Sequence, residues 1–405
     1  MAHLALRTAR RWARAPIALR IAVIYVVARV ITTGFLIAAA SQSTSLSRFG
    51  ADAGLVDFVL GWDAQWYWVV AENGYPAELP LTDSGDVTEN AWAFMPVFAF
   101  AARAVGFLFG SWGVGAFLVS FAAGYLACLA LHRLLRDRVG SAAATWAVIF
   151  FAAGPLAAMF QVGYAESLFL LLLFLALDAT TRRRYGWLYV LIPVMAFTRP
   201  GILAFALYLG LHGIVRWLHR RDDPLTSREI VHIIALGAIA VATGFGWQLI
   251  AGVVTGVPGA YLATELAWRR HWVAGGVDGF VPFEGWVQAA QFWFDLWGLP
   301  AWWGPVVLAL MAVAVGAALL RAPQVRAIGV DLRLWSASYL LYLLAVFFPQ
   351  SSTFRLLLPL SPLWGAVAVP RSRLWRIGVL VLCLAGQWLW IYHIYALGNT
   401  FWQVP

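Results

Sequence analysis

The sequence predicts an all-α, polytopic transmembrane helical bundle, and three observations predict it. Hydrophobic residues make up 62% of the 405-residue chain and charged residues 12%, more apolar surface than one soluble core can bury, so lipid must be its solvent. Long apolar runs alternate with short arginine clusters along the whole length. No internal repeat or low-complexity linker marks off a soluble domain, so residues 1–405 read as one integral membrane domain.

The N-terminal basic stretch from Arg7 to Arg20 leads into an apolar run over 17–40, too long for a signal-peptide core, so it is read as a retained first span. The basic residues are all arginine, with clusters at 7–20, 133–138, 182–184, 216–228, 321–333 and 371–376. Basic short loops stay cytoplasmic, which puts the N-terminus inside and leaves two long loops, 41–92 and 254–300, outside. The first loop carries Asp52, Asp57, Asp63, Glu72, Glu78, Asp83, Asp86 and Glu89, a charge contrast that fits that sidedness.

Of the two apolar runs that follow, 92–109 and 112–131, one span each would put the next arginine cluster outside, so either the first run dips in and out, the favoured reading, or the arginine rule fails at this point. Spans at 142–159 and 163–180 form a hairpin whose outer turn is GYAES, and Thr198 to Gly201 (TRPG) break the next apolar stretch into half-helices. Further spans are expected near 231–252, 301–320, 334–349, 353–369 and 376–396, about 10–12 membrane segments in all, with the C-terminus outside. Cys128 and Cys383 lie in apolar runs and read as buried thiols.

Ionisable groups at membrane depth need a partner or a task. Asp63, flanked by Trp62, Trp66, Tyr67 and Trp68 after the first span, is either an interfacial helix cap or a catalytic carboxylate. Glu166 beside Tyr164 is either an acid favoured by a helix N-terminus or a second functional group. Arg199 at the broken helix either caps carbonyls or binds an anion. Arg355 either snorkels to the outer surface, the reading its position favours, or binds a phosphate. Arg29 reads as an internal structural pair. In the second outer loop, Glu265, Arg269, Arg270 and His271 form either a site for a lipid phosphate head group or a surface patch. The histidines are scattered, so no metal is expected, and nothing in the chain suggests nucleic acid or a folded nucleotide-sugar site.

The runs WDAQWYWVVAENGYP, ENAWAFMPVF, GPLAAMFQVGYAESLFLLLLFLAL and AFTRPG, in that order, resemble the PIG-V family, the GPI α-1,6-mannosyltransferases and their bacterial relatives among the GT-C membrane glycosyltransferases. The motifs cover about a fifth of the chain. The resemblance implies a GT-C bundle with a large first extracytoplasmic catalytic loop, in which Asp63 takes the place of the presumed base, Glu166 of the second acid and Arg199 of the arginine in the broken helix. Asn90 and Pro96 fall on the second motif. Departures are Gln65, Asn73, Met95 and Gly201, none of which removes an acid.

The implied reaction is inverting transfer of mannose from polyprenyl-phosphate-mannose to a glycolipid acceptor, forming an α-1,6-like linkage. Arg199, Arg355, Arg269, Arg270 and His271, with Trp62, Tyr67, Asn90 and Tyr164, are the expected substrate and lipid-phosphate contacts. A monophosphate leaving group carries less charge than a pyrophosphate, so arginines can hold it without a metal or cofactor. A transporter of lipid-linked substrate would also show a broken helix and intramembrane charges, but typically with paired repeats.

Overall fold

The computed structural model describes residues 15–268, 270, 281–347 and 353–398. Within them the regular structure is helical, and the one ladder contact is an isolated antiparallel bridge between Leu81 and Val87 in the first long loop. Five helices are long and apolar enough to cross a membrane: α1 (Ile17–Ala40), α5 (Trp112–Val139), α10 (Ser227–Thr255), α13 (Trp303–Arg321) and α18 (Arg373–Ile391, continued by a π-turn Tyr392–Ala396). Only 6% of the apolar window of α13 is buried. Side chains such as Leu310, Met311 and Val313 face outward there, as lipid-facing positions do.

The rest of the expected segments are shorter pieces. Between the long helices lie α2 (Leu55–Val59), α3 (Asp63–Asn73), α4 (Pro96–Phe107), α6 (Ser141–Ala152), α7 (Glu166–Thr181), α8 (Leu188–Ala196), α9 (Ile202–Leu218), α11 (Ala260–Ala267), α12 (Glu284–Leu296), α14 (Pro323–Arg326) and α15 (Val330–Val346). The expected span at 353–369 is α16 (Thr353–Leu356), a 3₁₀ turn Leu358–Leu363 and α17 (Trp364–Ala368). Proline and glycine cause the breaks: Gly154 and Pro155 after α6, Pro200 and Gly201 before α9, Pro359 and Pro362 inside the turn.

Helix α4, with 12 residues, is about 18 Å long, shorter than a roughly 30 Å hydrocarbon layer. It packs against α5 so closely that a Cβ on Gly115 would lie 2.0 Å from the carbonyl oxygen of Ala102. Helix α1 crosses α5 at Gly124, where the Tyr25 hydroxyl reaches the carbonyls of Phe121 (2.9 Å) and Phe160 (3.2 Å). Arg29 is structural, as expected: its guanidinium donates to the carbonyls of Ala152 and Ala157, on either side of the break after α6. Cys128 and Cys383 are buried and free.

Candidate active site

Asp63 is the first residue of α3, and the turn before it is tightly built. Trp62 has φ +53°, an uncommon conformation for a bulky residue, and a Cβ on Gly61 would meet the Phe49 ring at 2.5 Å. Glu166 is likewise the first residue of α7, so each carboxylate sits at a helix N-terminus, where the dipole favours a negative charge. The two turns are fastened together: the Gly163 amide donates to Val59 O (2.9 Å) and the Asp63 amide to the Tyr164 hydroxyl (3.3 Å). Glycine at 163 permits this, since its Cβ would lie 3.1 Å from that of Ala64.

Two arginines arrive from distant segments. Arg199 lies between α8 and α9, in a turn whose Gly201 has φ +135°, a conformation that a side chain opposes. Arg355 lies on α16, held inward by Tyr339, whose hydroxyl donates to Leu356 O (2.7 Å), and by Trp335, whose indole donates to Pro359 O (2.8 Å).

The four groups form one chain of opposite charges. Arg355 Nη1 is 2.5 Å from Asp63 Oδ2, Arg355 Nε is 3.4 Å from Glu166 Oε1, and Arg199 Nη1 is 3.1 Å from the same Glu166 oxygen. The Arg355 guanidinium also stands 5.2 Å from the ring centroid of Tyr164. Asp63 keeps 17% of its side chain accessible, while Glu166 keeps 4% and the two arginines 10% each. The two acids lie together, since both touch one guanidinium. The snorkelling reading of Arg355 does not hold: α16 turns into the bundle, and a buried guanidinium there requires carboxylate partners.

The other expected contacts divide. Tyr67 packs edge-on against Phe94 and Phe98, and its phenol is pushed well above its usual range by burial first and then by Glu166 and Asp63. Trp62 lies beneath Arg48, 4.5 Å from guanidinium carbon to ring centroid, and Arg48 Nη2 donates to Gln65 Oε1 (3.2 Å). Sequence reasoning passed over Arg48, which has no motif neighbour. Asn90 is not free for substrate: Oδ1 caps Trp92 N (3.0 Å), and Nδ2 donates to Thr88 O (2.9 Å) and Thr264 Oγ1 (2.9 Å), tying the two long loops together.

Arg270 also serves that tie, through Val87 O (3.2 Å) and at longer range Asp86 (3.9 Å), and joins none of the four charges. Arg269 and His271 lie outside the described residues. Among the described residues no group of three or more His, Cys, Asp or Glu is placed to hold a metal.

No protein-family model and no curated protein matches the sequence. Solved structures that resemble it include the oligosaccharyltransferase of Archaeoglobus fulgidus tethered with an acceptor peptide, at 13% identity and a TM-score of 0.38, covering 92% of this chain and 56% of that one. Another is the archaeal oligosaccharyltransferase AglB of Archaeoglobus fulgidus in complex with an inhibitory peptide and a dolichol-phosphate, at 14% identity and a TM-score of 0.37, covering 92% and 56%. The chain spans about half the length of these proteins. Likeness at that level says nothing about what this chain acts on.

Proposed function

We propose that the protein is a membrane glycosyltransferase of the GT-C kind that moves mannose from polyprenyl-phosphate-mannose to a glycolipid acceptor on the extracytoplasmic side, with inversion. The observation that carries this reading is the buried series Asp63, Arg355, Glu166, Arg199, assembled from four separate segments. Two guanidiniums beside a partly accessible carboxylate match the needs of the reaction. One side must stabilise a departing phosphate, the other must take a hydroxyl proton.

The roles follow from accessibility. Asp63 is the general base; its Oδ atoms accept the proton as the acceptor oxygen forms its bond to the anomeric carbon. The bond from that carbon to the phosphate oxygen breaks on the opposite face, and the electron pair leaves with the phosphate onto Arg355 and Arg199. A β-linked donor so gives an α-linked product.

Glu166, the most enclosed of the four, is a positioning residue that holds both arginines and does not reach the acceptor. When the donor phosphate takes the Arg355 guanidinium, Asp63 Oδ2 is released to face the hydroxyl. Tyr164, stacked on Arg355 and bonded to the Asp63 amide, keeps base and cation in register.

The test is a choice of donor. Purified protein given a membrane-extract acceptor should transfer mannose from polyprenyl-phosphate-mannose and none from GDP-mannose. Equal turnover with GDP-mannose, in a preparation free of polyprenyl-phosphate-mannose synthase, overturns both the donor and the sidedness.

A further inference from the structure

On the far side of α16 from the ion network lies a cavity of about 790 Å³, within the size range of pockets that bury most of a drug-sized ligand. One turn of helix serves both places. Phe354, Leu357 and Leu358 line the cavity, at the i, i+3, i+4 spacing of one helix face, while Arg355 between them turns to Asp63 and Glu166.

The floor is the break after α6, from Gly154 to Ala157, whose backbone Arg29 pins through Ala152 O and Ala157 O. The far wall is α18 from Gly386 through the π-turn to Ile394, about 12 Å of helix. Tryptophan indoles aside, the polar side chains in the lining are Ser361 and His393, each bonded to a backbone carbonyl one turn away, Leu358 O at 2.5 Å and Leu389 O at 2.7 Å. Phe354 and Leu389 in its lining are 65% and 53% exposed.

We propose that this cavity seats the isoprenyl chain of the lipid-phosphate sugar donor, with the phosphate drawn to Arg355 at the adjoining charged site. The assignment rests on the reading of Arg355 as a phosphate ligand. It adds a second recognition element that takes a single apolar chain and sits apart from the sugar chemistry. Charge decides the occupant: a monophosphate chain places its only anion beside Arg355 and leaves hydrocarbon for a wall without ionisable carboxylates, whereas a zwitterionic phospholipid brings a cation toward two arginines.

The test uses the full chain in phosphatidylcholine nanodiscs and a polyprenyl phosphate with a diazirine in its proximal isoprene units. Photolabel should fall on peptides 354–367 and 386–394, be competed by unlabelled polyprenyl phosphate, and drop in Val367→Trp, which adds bulk to the cavity wall twelve positions along the chain from Arg355. In transfer assays Val367→Trp should raise KM for a long-chain donor by about tenfold or more, the loss of some two buried methylenes, while leaving KM for a two-isoprene donor unchanged.

Val367→Phe, a smaller filling, should show an intermediate shift if the larger variant misfolds. Labelling elsewhere, equal labelling by a diazirine phosphatidylcholine, or an unchanged long-chain KM in a folded variant overturns the assignment. Saturable labelling of these peptides in a protein that transfers no sugar supports the cavity and sinks the glycosyltransferase reading. Transfer with the label elsewhere does the reverse.

Discussion

Two ionic clusters lie at opposite ends of α9, about 20 Å apart along the helix, and they are built differently. At the far end, His212 Nδ1 meets Asp331 (2.7 Å), Tyr185 meets His212 Nε2 (3.1 Å), and Arg216 meets Glu229 (3.3 Å) and Pro224 O (3.0 Å). Most of those partners are close in sequence, and Glu229 doubles as the capping-box acid for Thr226 at the start of α10. At the near end the four charges come from residues 63, 166, 199 and 355, beside Trp62 at φ +53° and Gly201 at φ +135°; the far cluster has a left-handed residue too, Arg183 at φ +58°, whose partner Asp223 also meets Arg216. The contrast teaches that buried salt bridges alone do not mark function; what sets the near cluster apart is that its charges are gathered from segments far apart in the chain.

The sharpest break of that comparison is Asp63→Asn. It removes the base and keeps the shape, so turnover should fall by about 100-fold or more with the fold retained. Turnover in detergent above about a tenth of wild type, in a variant with unchanged melting, rejects Asp63 as the base.

The next is a matched pair of arginine truncations. Arg199→Ala should depress transfer sharply while melting changes less, and Arg216→Ala should cost stability, up to about 3 kcal/mol, with activity per folded molecule preserved. The two profiles coming out alike would erase the distinction between the clusters.

Glu166→Gln should lose between about ten- and a hundredfold in kcat/KM, less than Asp63→Asn, because it loosens two arginines without removing a reacting group. Its pH–rate profile should keep the wild-type shape, and a lost limb would make Glu166 the base instead. The mildest is Gly201→Ala, which places a side chain at φ +135° and should cost about 1–3 kcal/mol of stability, with a raised donor KM as Arg199 shifts. An unchanged melting temperature would show that the turn is not strained.

The first span, over 17–40, coincides with α1, and the break at TRPG was legible because proline and glycine declare themselves locally. Asp63 and Glu166 were legible as a pair because each opens a helix next to aromatic residues. Arg355 was not. Local pattern places an arginine at the start of an apolar run and hence at a surface, while its burial depends on Tyr339 and Trp335 holding a proline-rich turn inward. Asn90 misled for the converse reason: a polar residue in a shared motif reads as a ligand contact until Thr264, 174 positions away, is seen to occupy it. The cavity beside α16 had no signal at all, since Gly154, Trp364 and Leu389 meet only in three dimensions.

The pairing of Asp63 with Arg355 spans 292 positions of chain. During synthesis the aspartate emerges early and its cation close to last, whereas Glu166 and Arg199 are separated by one helical hairpin. A carboxylate packed into a bundle without its cation is destabilising, so a nascent chain stopped short of α16 leaves Asp63 without the Arg355 guanidinium it pairs with. The half-built site thereby marks unfinished or truncated molecules, and membrane quality-control proteases should clear a chain ending near residue 350 faster than one carrying Asp63→Asn at the same length.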